Sequence, residues 1–258
     1  SGERLRKHYP NFKFIQLATN TGYAAGNNVG ISYALENSAD YVLVLNNDVI
    51  VEPTFLEPMV EMAEHDTHVG IVTCKVYYWN STDKIFSAAG KMNRWICSGV
   101  NKGSHLKHWQ NIEKPCLTDF ACGVLLLMRR SMLGEEGLFD ERYFMYFEDV
   151  EYSGRINRDY KIAYTPFGVA YHKSGGGVKW NSYSELYLYY HTRNRFLVYQ
   201  NENIYYKIYV LLFSFSISLV KSLAIGINLL RNANKTLKQL RSLWSGFNQG
   251  IKVFMNGY

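Results

Sequence analysis

Tyr41-Val42-Leu43-Val44-Leu45-Asn46-Asn47-Asp48 is the stretch on which the fold turns. Five apolar residues in a row predict a strand of the kind buried on both faces of an α/β sheet. The run stops abruptly in three polar residues. Ligands and metals gather at the carboxyl ends of strands in such sheets, and Asp48 stands at that end. Upstream, Phe12-Lys13-Phe14-Ile15-Gln16-Leu17 alternates as a strand. Asn20-Thr21-Gly22 reads as a turn. Residues 24–35 then read as a helix, with Ala24, Ala25, Asn28, Ile31 and Leu35 roughly on one face. Downstream, Pro53 suits the first turn of a helix running to about His65, and residues 69–77 form the next strand. Strand, helix, strand, helix, strand predicts an α/β fold with a mostly parallel sheet flanked by helices.

Residues 80–118 are polar, aromatic and irregular, and no element is assigned there. Residues 120–129 read as an apolar strand carrying Ala121-Cys122-Gly123. After a turn at Gly137-Leu138-Phe139-Asp140-Glu141 comes Phe147-Glu148-Asp149-Val150-Glu151, among Tyr143, Phe144 and Tyr146. A helix over residues 148–157 would carry the carboxylates in its first turn, where the helix dipole favours them. A carboxylate in an aromatic pocket is a candidate general base. Residues 161–164 and 169–172 are short strands, the second ending in His172, and an imidazole can complete an oxygen-rich metal site. Residues 174–177 form a glycine-rich loop, and a tyrosine-rich helix over about 182–200 follows.

Each residue also has a plain structural use. Asp48 after Asn47 is a common turn pair. Glu148 and Asp149 could cap a helix, His172 could be a core histidine, and residues 175–177 a linker rather than a lid. Gly22 and Gly26 lack the lysine of a phosphate-binding loop. Taken jointly, the acidic features point to metal-assisted transfer of a group from a phosphorylated donor.

Composition narrows the class. In 258 residues, 47% are hydrophobic, enough for a sizeable core. The 21 tyrosines suit sugar faces and membrane interfaces, where an apolar ring with a polar tip is useful. The net charge of +6 is unevenly spread: from Arg193 onward nine Lys/Arg face only Glu202, while residues 1–192 are slightly acidic. The basic tail carries no nucleic-acid motif, so an anionic membrane surface is the expected partner and nucleic acid is not. Four cysteines without metal spacing fit a reducing compartment. Residues 208–220 carry no charge, and 222–230 continue beyond Lys221. A span needs about 20 apolar residues, which requires tolerating Lys221 at a cost of about 3 kcal/mol; an in-plane helix or a soluble packing helix are the alternatives. Residues 231–254 follow as a basic amphipathic segment, with Arg231, Lys235, Lys238 and Arg241 against Leu237, Leu240, Leu243 and Trp244. The expected division is a main domain over 1–200 and a helical tail over 201–258.

Five segments in order resemble family 2 glycosyltransferases. Residues 20–31 are similar to the family's N-x-G-[FY]-[GA]-x-G-N-N-x-G segment, and Leu45-Asn46-Asn47-Asp48 to a variant of its D-x-D metal motif. Residues 137–151 are similar to its G-x-F-D-E-x-[FY]-F-x-Y-x-E-D-x-[DE] block. Residues 166–172 resemble the strand ending in the metal-site histidine, and Arg193-Asn194 an Arg-Asn pair that often follows. The nearest subgroup is rhamnosyltransferase-like. The resemblance covers roughly residues 12–195.

The resemblance implies a GT-A-like fold and an inverting transfer from a nucleotide-diphosphate sugar, such as dTDP-rhamnose, to a glycan or lipid-linked acceptor at the cytoplasmic face of the membrane. It implies a Mn²⁺ or Mg²⁺ site at Asp48 and His172, Asp149 as base with Glu148 beside it, and donor contacts from Asn20, Gly22, Gly26, Asn27, Asn47 and Arg193. It also implies a first strand and a D-N-x-S-x-D segment ahead of residue 1. The alternatives are a catalytically silent membrane-bound scaffold or a nucleotidyltransferase, the latter without a supporting glycine-rich loop.

Overall fold

The computed structural model describes residues 2–101, 112–173, 183–228 and 232–256. In chain order the elements are α1 (Gly2–His8), α2 (Gly22–Glu36), β1 (Tyr41–Leu45), β2 (Val49–Val51), α3 (Glu57–Glu64), β3 (Val69–Tyr78), β4 (Ser81–Ser87), β5 (Gly90–Asn93), β6 (Ser98–Asn101), β7 (Cys116–Thr118), β8 (Leu125–Arg129), α4 (Arg130–Glu136), α5 (Glu148–Ile156), β9 (Lys161–His172), α6 (Glu185–Val198), α7 (Ile204–Gly226) and α8 (Ala233–Asn256).

The main sheet runs β1-β8-β3-β9-β2, with β4 beside β3 and β7 beside β9. Side chains alternate between its two faces, as a pleat requires. On one face Val42, Val44, Ile71, Leu126 and Met128 pack under α2, α4 and α5. On the other Val69, Val72, Cys74, Leu125 and Leu127 pack against Phe55, Met59 and Ala63 of the α3 region. Each fully buried aliphatic side chain contributes roughly 1.5–3 kcal/mol.

The expected mostly parallel sheet is corrected to a mixed one. Only β3 and β9 run parallel; β1–β8, β3–β8, β2–β9, β3–β4 and β7–β9 are antiparallel. An apolar strand reads alike in either direction. The excursion through β4–β7, in residues that showed no period, turns β8 around. β1 is also not buried on both faces. It ends the sheet path, and its burial alternates between buried Val42 and Val44 and more open neighbours.

Four other expectations change. Residues 12–17 form no strand, and Phe12 is 75% exposed. Alternation yields a strand only where a neighbour supplies the ladder, and no described strand runs beside this segment. The third helix starts at Glu57, with Pro58 rather than Pro53 in its first turn. Residues 120–124 precede the strand β8 as a loop. The two short strands at 161–172 are one, β9, whose register against β3 slips between Cys74 and Lys75. Pro166, with no N–H to give, lies in the slipped section. The glycine-rich loop at 174–177 lies outside the described residues.

The last three helices pack on one another and on the sheet domain. Buried Val253 of α8 joins Phe120, Tyr143, Phe147 and Leu197, and Phe247 joins Cys97, Phe196 and Val210. Gly246 and Gly250 let α8 lie close on α6: a Cβ at the first would collide with the Tyr189 carbonyl, and at the second with the Phe196 ring. This corrects the expected use of α8's apolar face. Leu243 and Phe247 are spent on neighbouring helices, and Lys235, Lys238 and Arg241 point outward.

Helix α7 is inside out. Ile204, Ile208, Leu212, Phe215, Leu219 and Leu223 are exposed at steps of three or four, one continuous stripe. Its buried face carries Val210, Ser214, Ser218, Lys221 and Ile225. Three polar side chains, Ser214, Ser218 and Lys221, are turned to the protein, while the exposed stripe is apolar.

Candidate active site

The turn after β1 brings the first two site residues together. Asn46 N–H donates to Val124 O at 3.1 Å, and Val49 N–H donates back to Asn46 O at 3.2 Å. The chain then enters β2, which pairs with β9 so that Val49 lies opposite His172. Lys173 N–H donates to Asp48 O at 2.8 Å. That register sets His172 Nε2 3.1 Å from Asp48 Oδ1. The His172 side chain is 7% exposed and that of Asp48 43%. Phe86 packs edge-on against the imidazole, with ring centroids 4.4 Å apart. Burial lowers the His172 pKa against the opposing pull of Asp48, which favours the neutral ring that binds metals.

The second acidic feature is built differently. Tyr146 and Phe147 both have left-handed backbones, at φ 68° and 70°. Two consecutive non-glycine residues there store strain of order 1–3 kcal/mol each. Asn194, fully buried on α6, offsets it: its Nδ2 donates to Met145 O at 2.9 Å and Tyr146 O at 2.7 Å. The strained turn delivers Glu148 and Asp149 at the start of α5. Asp149 Oδ2 accepts from Gly123 N–H at 3.1 Å and Oδ1 from Val150 N–H at 2.9 Å. Glu148 is 7% exposed, and its Oε2 is buried without a hydrogen-bond partner.

Burial, with Asp149 adding to it, pushes the Glu148 carboxyl up to about 8. Burial also raises Asp149, against the opposing backbone N–H groups. Two adjacent buried carboxyls do not both ionise readily. The N–H donors favour charge on Asp149, and the orphaned oxygen favours a proton on Glu148. Burial acts on both carboxyls, and Glu148 is the member whose proton the fold favours. Residues 123–124 link the two acidic features, since Val124 O holds Asn46 and Gly123 N–H holds Asp149.

The remaining expected donor contacts divide. Asn20 Oδ1 accepts from Gly22 N–H at 3.0 Å. Gly22 has φ 86°, and a Cβ there would strike Phe144 O, so this glycine lets α2 start against the turn before Glu148. Tyr23 N–H donates to Phe144 O at 2.6 Å. A Cβ at Gly26 would meet Thr21 Oγ1 at 4.0 Å, an ordinary contact. Asn27 Nδ2 turns back to Tyr23 O at 2.8 Å. Asn47 is exposed at the turn beside Asp48. Arg193 Nη2 donates to Arg142 O, and its guanidinium lies over Tyr190. These contacts are within the protein.

Three residues important to the geometry carried no clear sequence signal. Tyr23 donates its hydroxyl to Gly123 O beside Asp149. Asn28 ties α2 to the 139–141 turn through Phe139 O, Phe139 N–H and Glu141 Oε1. Asn194 was visible only as half of an Arg-Asn pair. No group of three or more His, Cys, Asp or Glu side chains converges as a metal cage among the described residues. Asp48 and His172, an open carboxylate beside an imidazole, are a donor pair of the kind a divalent cation accepts.

The chain is similar to several known proteins. N-acetylglucosaminyl-diphospho-decaprenol L-rhamnosyltransferase of Mycobacterium tuberculosis is 26% identical over 191 residues, which cover 65% of this chain and 61% of that protein. Rhamnosyltransferase WbbL of Escherichia coli is 25% identical over 181 residues, 66% of this chain and 67% of its own. The chain spans about three fifths of the length of the first of these. Among solved structures, GalNAc-T7 with UDP, GalNAc and Mn²⁺ superposes with a TM-score of 0.51 at 13% identity, over 80% of this chain and 44% of that one. At that identity the likeness is one of fold, an α/β fold of the GT-A type. The family model for glycosyl transferase family 2 matches residues 2–137, more than half the sequence, and the chain belongs to that family.

Proposed function

We propose that this chain carries the donor and acceptor chemistry of an inverting, metal-dependent glycosyltransferase of polysaccharide synthesis. The observation that carries this reading is the 3.1 Å approach of His172 to Asp48 at the end of β1, joined through residues 123–124 to a buried Asp149. The donor is a nucleotide-diphosphate sugar, with rhamnose favoured by the names of the relatives. Asp48 and His172 would hold Mn²⁺ or Mg²⁺, and such an ion supplies neutralising charge to a departing diphosphate. Asp149, ionised, takes the proton of the acceptor hydroxyl. The acceptor oxygen forms its bond to the anomeric carbon as the carbon–oxygen bond to the diphosphate breaks, and that electron pair leaves with the nucleotide. One displacement inverts the anomeric centre. Glu148, protonated, is suited to donate a hydrogen bond to a donor or acceptor hydroxyl.

The acceptor is a glycan, lipid-linked in keeping with the tail. Helix α7 is long and apolar enough to cross a bilayer, yet its inner face packs on the protein. The reading that fits both facts is an in-plane helix, with its outer stripe in the acyl boundary and the exposed Lys235, Lys238 and Arg241 on anionic headgroups at the cytoplasmic face.

Calorimetric titration of UDP and dTDP, with and without Mn²⁺, tests the site. Metal-dependent binding by the chain, lost in Asp48→Ala, is expected. Equal binding by the variant, or no dependence on metal, would remove Asp48 from the donor site.

A further inference from the structure

Seven buried side-chain polar atoms lack a hydrogen-bond partner among the described residues, and five lie in the seam between α6 and α7: His191 Nδ1, Arg195 Nε and Nη1, Ser214 Oγ and Lys221 Nζ. The seam has two regular stripes. On the α6 side Tyr183, Tyr187, His191 and Arg195 recur every four residues. On α7 Ser214, Ser218 and Lys221 share the buried face. Lys221 Nζ sits 5.1 Å from the Tyr187 ring centroid and 5.5 Å from that of Tyr183. The His191 ring lies 4.6 Å from Tyr187 and 4.9 Å from Phe147. The Arg195 guanidinium lies 5.5 Å from the Phe147 ring, one residue from Glu148.

Arg195 is 4% exposed and Lys221 5%. Neither has a carboxylate partner among the described residues, and neither makes a salt bridge there. The charged neighbours of Lys221 and His191 are cations of the same cluster. Those of Arg195 that could turn negative are Cys97, Tyr187 and Tyr199, all held neutral by burial. Burial, with Lys221 and Arg195, keeps the His191 imidazole well below its usual pKa, hence neutral. Two buried cations without a counter-ion are costly, and aromatic faces compensate only part of that cost. Burial, with Arg195, pushes the Lys221 ammonium down to about 8, and among the described residues no carboxylate balances either side chain.

We propose that the seam between α6 and α7 binds the phosphate or diphosphate head of an amphiphile, gripped by Lys221 and Arg195, with His191 and Ser214 as neutral hydrogen-bonding partners. A doubly charged phosphoryl head balances the two cations, and tetrahedral oxygens accept from several N–H groups at once. The amphiphile follows from the opposite face of α7, where the exposed apolar stripe offers a surface for hydrocarbon. The proposal rests on the reading of a lipid-linked acceptor and names the place of its charged head, beside the turn that carries Glu148 and Asp149.

The test uses the full chain in a nonionic detergent, with farnesyl diphosphate, inorganic pyrophosphate and farnesol as probes. Calorimetry and thermal unfolding are read for the chain, Lys221→Met, Arg195→Met and Asp48→Ala. Farnesyl diphosphate should bind and raise Tm, and each seam variant should weaken it roughly tenfold or more. Lys221→Met without ligand should melt higher than the parent, because it removes an unpaired buried charge. A lower Tm would mean that the ammonium is already satisfied within the protein and would overturn the proposal. Equal affinity for farnesol would overturn the anion, and equal affinity for inorganic pyrophosphate would overturn the amphiphile. Asp48→Ala separates the two sites. If that variant loses farnesyl diphosphate binding while Lys221→Met keeps it, the probe sits at the donor site. The seam proposal then fails and the reading of Asp48 stands.

Discussion

Asp48 and Asp149 both sit where a secondary element begins or ends, and the protein treats them in opposite ways. Asp48 is left open on a turn, with an imidazole 3.1 Å away and no backbone N–H on its carboxyl among the described hydrogen bonds. Asp149 is enclosed, fastened by two N–H donors, and crowded by a second carboxyl, with no cation acting on it among the described residues. The first arrangement leaves lone pairs facing solvent, where a cation can share them. The second makes a single proton expensive to add to one member and expensive to remove from the other. Under the proposed function one carboxylate serves metal charge and the other proton traffic. Sequence alone offers the same residue type for both tasks, and the environment divides them.

The largest break in this comparison is Asp149→Asn. It keeps shape and removes the basic oxygen, so sugar transfer by the intact protein should fall about 10³-fold, within the range for loss of a general base. Metal-dependent nucleotide binding, read by calorimetry, should stay within about twofold, since the proposed role of Asp149 is toward the acceptor. Retained turnover would take the base role from Asp149. Next comes the open carboxylate. Asp48→Ala should weaken Mn²⁺-dependent nucleotide binding by about 10- to 100-fold, and chelation of the parent protein should reproduce the loss. A variant that binds nucleotide as tightly as the parent in Mn²⁺ would make Asp48 an ordinary turn residue.

How much of this was readable in the residues follows the same divide. Elements set off by polar turns were legible: the α2 helix, β1, β3, and α5 with its carboxylates. The Asp48–His172 pairing was legible only as a resemblance, because 124 residues separate the partners. Their meeting depends on the antiparallel register of β2 on β9. Strand direction was not legible, since Leu125–Arg129 has no polarity of its own. Residues 12–17 misled because alternation is a local property and a ladder is not. Helix α7 was read as apolar with one awkward lysine. The hydrophobic run hid that Ser214, Ser218 and Lys221 share one face, and that this face turns inward. Asn194 was missed as a support because its partners are carbonyls, which every residue has.

Asn194→Ala tests that support. It strips two hydrogen bonds from a left-handed turn and leaves the Met145 and Tyr146 carbonyls short of their donor. A loss of roughly 2–3 kcal/mol in unfolding free energy is expected, together with a drop in transfer. Transfer should fall more steeply than nucleotide binding, because the turn delivers Glu148 and Asp149 and not Asp48. Equal losses in both would mean that Asn194 supports the whole fold rather than this turn.

The smallest effect is the most diagnostic of the buried pair, and its sign is fixed. The Glu148 carboxyl moves from 4.5 in the unfolded chain to about 8 in the fold. Between those values the folded state holds a proton that the unfolded state has released, so stability falls as pH rises through this window. Glu148→Gln cannot ionise and should lose that slope. The two proteins should be similarly stable near pH 5, and by pH 8 the variant should gain on the order of 2 kcal/mol relative to the parent. Chemical denaturation at pH 5, 6.5 and 8 reads the difference directly. Parallel pH profiles would mean that Glu148 is charged and solvated, a helix-cap carboxylate like many others. A flattened profile in the variant would place the shared proton on Glu148, and it would leave Asp149 as the member of the pair free to accept one.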